Sequence, residues 1–433
     1  MIKEIYRDIN EVLYKKVLDN GLTVFINKKK GFKRIFSTFL TNFGAYDTKF
    51  IPIDEDNYIE VPYGIAHFLE HKMFEMPNGI DASNLFADYG ADSNAYTSYN
   101  ETAYVVSCTS NFEKILEILL DFVQTPYFTD ENVEKEKGII IEELKMYQDN
   151  PSDRLYNSLM KNLYRLHTRR IDVVGTVESI NSINKELLYK CYNTFYHPEN
   201  MYLCISGDVD VEKTIELIEK NQANKTFPKF KQMKCKYIVE KNKVYRKSGS
   251  SYMDIVIPRV SVGIKLPTFE LGKNDLIKAE CIFKIIWEYK FGYSSENYQY
   301  LLDKELLNEL SYSLTIDKVC TFIRFTANSF NPKELISFLK EEVLKLKDFQ
   351  INEDTFIRFK KGLLGTFIRS FDNVEFVSSS YVEYLLKNTN IFEAIDVVNS
   401  ITVDDLKEFC QFFDENSITY YIIKPKNIES NSN

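Results

Sequence analysis

Two segments half a chain apart carry the same local pattern. One opens at Asn181-Ser182-Ile183 and the other at Asn399-Ser400-Ile401, 218 residues later in a chain of 433. Each passes a helix-capping residue, Asn184 or Thr402, and enters a helical stretch holding one cysteine, Cys191 or Cys410. Each then runs through Glu-Asn into a β-rich segment, "MYLCISGDV" or "ITYYIIKP". Helix-turn-strand is a common unit and can recur by chance. Shared order at a half-chain offset favours an internal duplication instead. The chain is therefore read as α+β, built from two copies of one sheet-and-helix unit.

The polar, lysine-rich stretch "NKTFPKFKQMKCKYIVEKNKVYRKSGSS" lies near the midpoint and reads as a linker. The expected domains are 1–228 and 250–433, joined by 229–249. The first opens with a hairpin about Asp19-Asn20-Gly21. "SNFEKILEILLDFVQ" and "TDENVEKEKGIIIEELKMYQDN" read as long helices, the first capped by Ser110 or Asn111.

Charge excludes some partners. The net formal charge is −9 without a basic stripe, a poor fit to nucleic acid. Lys28-Lys29-Lys30 with Lys33 and Arg34 reads as a solvated strand end, with a role in holding an acidic peptide as the alternative. No apolar run reaches the ~18 residues of a membrane span, and the N-terminus lacks a signal-like core. Both point to the cytoplasm. The seven cysteines are dispersed, with no C-x-x-C pair, and read as reduced core residues.

All four histidines fall in the first half. His167 sits in a polar loop and reads as surface; His197 precedes Pro198 and reads as a structural contact. The other two stand in His67-Phe68-Leu69-Glu70-His71. On a helix, residues four apart share a face, so both imidazoles can grip one ion. Glu70 lies on nearly the same face, with Phe68 and Leu69 packing behind. Chance on a solvated helix is the bland alternative, and the apolar flanks weigh against it. Two histidines and a glutamate buried without a metal would be costly. Zinc accepts such ligands and needs a third. "VEKEKGIIIEELKMYQ" offers Glu134, Glu136, Glu142 and Glu143, of which Glu136 and Glu143 are two turns apart. Gly138 between them is read as a point of close packing. The order H-x-x-E-H is that of the inverzincins. It suits metal-assisted hydrolysis in which Glu70, not a ligand, takes the proton of a water.

The sequence resembles the pitrilysin family, which includes insulin-degrading enzymes and mitochondrial processing peptidase. "LDNGLTVFI", "YGIAHFLEHKMF", "NAYTSYNETAY", "EKEKGIIIEEL", "VVGTVESI" and "FYHPENMYLCISGDV" carry the resemblance through the first half. "LLNELSYSL" and "FDNVEFVSSSY" extend it more weakly. Among the branches, the bacterial YmfH-like one is most similar. The resemblance implies two α/β-roll domains closing like a clam around a chamber, with zinc in the first domain only. It implies His67, His71 and Glu143 as ligands, Glu70 as general base and Glu136 as a supporting acid. Asn94 and Ala95 match the segment that lays out substrate as an added β-strand. Phe68 is grouped with them as a candidate substrate contact.

One departure bears on partners. The family's active second halves carry an Arg and a Tyr seven apart that bind the substrate carbonyl. Tyr312 fits the tyrosine, but Glu305 stands where arginine is expected. A carboxylate repels an oxyanion. The expectation is therefore a zinc subunit acting on peptides or unfolded leader segments beside a zincless homologous partner. A homodimer is the alternative arrangement. A non-catalytic assembly subunit is the competing function.

Overall fold

The computed structural model describes residues 1–268 and 270–426, with the backbone alone at Asn78. The last seven residues of the expected second domain lie outside the described residues.

The chain forms two compact units. In the first, seven strands make a sheet: β1 (Ile2–Tyr6), β2 (Glu11–Val17), β3 (Thr23–Lys28), β4 (Ile35–Thr41), β5 (Asp92–Thr97), β6 (Thr102–Cys108) and β7 (Met201–Gly207). Their order is β1-β2-β3-β7-β4-β6-β5, and only β3 and β7 run parallel. The turn between β2 and β3 places Gly21 at φ +89°, where a side chain would be strained.

The second unit has five strands: β8 (Ser248–Met253), β9 (Arg259–Leu266), β10 (Leu310–Asp317), β11 (Cys320–Asn328) and β12 (Ile418–Pro425). Their order is β8-β12-β9-β11-β10, with β8 and β12 parallel. This repeats β3-β7-β4-β6-β5 strand for strand. The duplicated helices match as well. Asn184 accepts a hydrogen bond from Leu187 N–H at the start of Lys185–Phe195, and Thr402 caps Val403–Cys410 through Asp405 N–H.

The units do not follow the expected boundaries. Among the described residues, unit one comprises 1–144, 172–237 and 365–395; unit two comprises 145–171, 238–364 and 396–426. Each half thus gives one helix to the other half's sheet. Helix Pro151–Leu163, from the first half, buries Leu155 against Met253 and Ile423. It crosses β9 where Gly263 leaves room for Leu159; a Cβ there would stand 3.1 Å from the leucine. Helix Val374–Leu385 lies on β4 and β7, where Ser378 donates to Cys204 O at 2.7 Å and meets Thr38 Oγ1 at 2.9 Å. Small hydroxyl and glycine positions permit these close approaches, and nothing in local periodicity marks them.

Three further expectations change. The linker is not loose: Glu240 accepts backbone N–H bonds from Arg165, Leu166 and His167 and pairs with Lys265 at 3.2 Å. Burial works against that carboxylate's charge, yet these donors pull its pKa down to about 2. His167 is buried, not on the surface, because this clamp draws its loop inward. Lys29 is also buried, in an ion pair with Glu11 and bonded to Phe371 O, so it is no solvated strand end. His197 makes a structural contact, its Nε2 2.9 Å from Pro228 O. All seven cysteines are free.

Candidate metal centre

The site is built in unit one. Helix Ile65–Met73 begins at Gly64, which has φ +86°. A Cβ at Gly64 would lie 2.2 Å from Val174 O, so only glycine lets the helix start against that loop. Every residue of this helix except His71 is buried.

His67, His71 and Glu143 each direct one ligand atom into a common space, all within 4.8 Å of one another. His67 Nε2 lies 3.8 Å from Glu143 Oε1, and His71 Nε2 lies 3.4 Å from Glu143 Oε2. Glu143 reaches in from helix Asp130–Asp149. Glu142, its neighbour, is exposed, and so is Glu134. Two imidazoles and a carboxylate in this spacing suit zinc and leave room for a fourth ligand. Burial and the neighbouring His71 push His67 down to about 4, which keeps its imidazole neutral.

Glu136, two turns before Glu143, holds the far side of His71: its Oε1 is 3.1 Å from Nδ1. Burial acts to raise the Glu136 pKa, but His71 and Lys72 hold it below the ordinary value. For His71, burial opposes the charge, but Glu136 and Glu143 outweigh it and raise the pKa to about 10. Gly138, between the two glutamates, does not serve close packing; a Cβ there would meet nothing within 4 Å.

Glu70 is buried and accepts a hydrogen bond from Thr97 Oγ1 at 2.8 Å. Burial raises its pKa, opposed by the Thr97 bond. Thr97 belongs to β5, the edge strand that also carries Asn94 and Ala95. Asn94 Oδ1 accepts the Ala95 N–H at 2.9 Å. Beside the centre opens a cavity of 570 Å³ whose walls include Glu70, His71, Glu136 and Asn94.

Two expected residues stand elsewhere. Phe68 is fully buried, because the helix turns that face into the core, and offers no surface to a peptide. Tyr312 lies on β10 in unit two, where its hydroxyl donates to Glu288 Oε1 at 2.8 Å. Burial and Glu288 push its pKa well up. Two supporting residues were missed by sequence reasoning. Thr97 sits inside a motif already singled out, but its hydroxyl partner is 27 positions away. Lys72 is wholly buried, 3.7 Å from Glu136 and paired with Glu75. Its place next to His71 was the available signal.

Residues 57–177 match the family described as Insulinase (Peptidase family M16), and residues 182–363 match the Peptidase M16 inactive domain. A zinc protease named YmfH from Bacillus subtilis (strain 168) is 39% identical over 95% of this chain and 96% of its own. The chain belongs to peptidase family M16. An M16-like peptidase from Alicyclobacillus acidocaldarius has the same fold, with a TM-score of 0.92, 34% identity, and coverage of 96% of this chain and 99% of that one. A protease from Helicobacter pylori superposes with a TM-score of 0.81 at 21% identity, covering 95% and 99% of the two chains. Among the described residues of this M16 chain, no helix is long and apolar enough to cross a membrane.

Proposed function

We propose that this protein is a zinc metalloendopeptidase that hydrolyses peptides or unfolded segments. The observation that carries the reading is the convergence of His67, His71 and Glu143 ligand atoms within 4.8 Å, beside a buried Glu70 that is not among them. The names of the M16 relatives support zinc. Zinc in such a site lowers the pKa of a water and polarises a carbonyl.

The chain's own residues supply the rest. The Glu70 carboxylate takes a proton from the attacking water and returns it to the leaving amine nitrogen. Its raised pKa suits a base that must also become an acid. Thr97 fixes the carboxylate's orientation. Glu136 fixes the His71 ring through Nδ1. Edge strand β5 presents main-chain groups along which a peptide can add as a strand, with Ala95 N–H exchanging its Asn94 partner for a substrate carbonyl.

The chain acts as the zinc subunit of a heterodimer in this reading. Support comes from Glu305, exposed and at φ +52° where an arginine would be needed, and from Tyr312, whose hydroxyl is engaged by Glu288.

The test is metal content and cleavage together. Purified protein should hold about one zinc per chain. Glu70→Gln should keep the metal and stop cleavage of a quenched peptide, while His67→Ala loses both. A zinc-loaded wild type that cleaves nothing, alone or co-expressed with a relative lacking H-x-x-E-H, would sink the reading.

A further inference from the structure

The cavity beside the metal centre carries two carboxylates that the chemistry above does not use. Glu75–Met76 pairs antiparallel with Ile80–Asp81, in a register that sets Glu75 directly opposite Asp81. Like charges facing each other across a ladder are destabilising by themselves. Glu75 is answered by Lys72. Asp81 takes only the Ser83 N–H, at 2.8 Å, and no cation pairs with it among the described residues. Both line the cavity.

The same walls hold uncovered apolar surface. Ile80 and Ile139 are 43% and 49% exposed, and Phe74 stands with them. A lone exposed isoleucine is ordinary; two lining one concave site beside Glu70 and His71 mark a pocket for a side chain. Lys135 also lines the cavity, against four carboxyl side chains there, Glu70, Glu75, Asp81 and Glu136.

We infer that this cavity receives a lysine or arginine side chain next to the scissile bond, its methylene stem on Ile80, Ile139 and Phe74 and its cationic end between Glu75 and Asp81. Long cationic side chains bury their stems and keep the charge at the tip, which fits this order of apolar and acidic surface. The inference deepens the peptidase reading and rests on it: the substrate class is peptides with a basic residue at that position.

The experiment uses full-length, zinc-loaded Glu70→Gln protein, which binds peptide without turning it over. Fluorescein-labelled peptides differing at one position (lysine, norleucine or glutamate) are titrated by anisotropy, with the position scanned along the peptide. At one position lysine should bind about tenfold tighter than glutamate, and the gap should narrow as salt rises. Asp81→Asn keeps the helix cap but removes the charge. It should weaken the lysine peptide about fivefold and leave the norleucine peptide unchanged. Ile139→Ala should weaken lysine and norleucine peptides alike. Equal binding of lysine and glutamate peptides at every position overturns the inference, as does an Asp81→Asn protein with its lysine preference intact. Wild type that cleaves peptides without charge preference sinks this inference and spares the peptidase reading. Wild type that cleaves nothing, alone or co-expressed with a relative lacking H-x-x-E-H, sinks the peptidase reading, while the cavity's preference for a basic side chain is still decided by the anisotropy, which is read without turnover.

Discussion

Glu136 Oε1 lies 3.1 Å from His71 Nδ1, while the other nitrogen of the same ring lies 3.4 Å from Glu143. One helix therefore holds both edges of one imidazole, through glutamates two turns apart. The first is placed to fix the tautomer, and the second to share an ion with the ring if one is bound.

Glu136→Gln should lower zinc affinity about 10- to 100-fold, the usual cost of losing a partner behind a metal-binding histidine. Competition with a chromogenic chelator measures it. Unchanged affinity would show that Glu136 does not orient the ring.

Lys72 is buried without exposure between Glu75 and Glu136. Lys72→Met leaves two carboxylates facing each other without the cation, and should cost about 3 kcal/mol of stability. Urea unfolding reads this directly. A wild-type midpoint and slope would show that the two carboxylates do not depend on Lys72.

Gly138 sits in mid-helix with open space where a Cβ would go. Gly138→Ala should stabilise the protein by about 0.5–1 kcal/mol and leave zinc binding unchanged. A lower melting temperature would mean that the glycine serves a contact after all.

His167 is held by burial at a pKa of about 4, below the ordinary 6.5. Below pH 6.5 the unfolded chain takes up a proton that the native state refuses. Its contribution is therefore complete above that value and is lost as the pH falls toward 4, a loss of roughly 3 kcal/mol. Glu240 acts in the same direction at lower pH, between 4.5 and about 2. His167→Asn keeps an acceptor for Arg169 N–H and should flatten the fall in stability between about pH 7 and 4.5. An unaltered slope would place the acid sensitivity elsewhere.

Local patterns carried much of this protein. The duplicated helix and strand segments were legible because caps, turns and periodicity act within a few residues. His67, Glu70 and His71 were legible because one helix fixes their spacing. The choice of Glu143 over Glu142 was not, since adjacent helical positions point about 100° apart and only packing decides which faces the histidines. Resemblance supplied that choice; in the structure Glu143 directs a carboxylate oxygen toward the two histidines, and Glu142 is exposed.

What the sequence by itself determined was the twofold α+β repeat and the paired histidines with their glutamate, each written in short-range spacing. Tertiary structure alone decided that helices Pro151–Leu163 and Val374–Leu385 each join the sheet of the other half of the chain, and that His167 and Lys29 are buried. It also set Glu75 opposite Asp81 at the mouth of the site. The exchange and the burial of His167 and Lys29 rest on partners such as Ser378, Gly263, Glu240 and Phe371, far away along the chain and adjacent only once the sheets have formed.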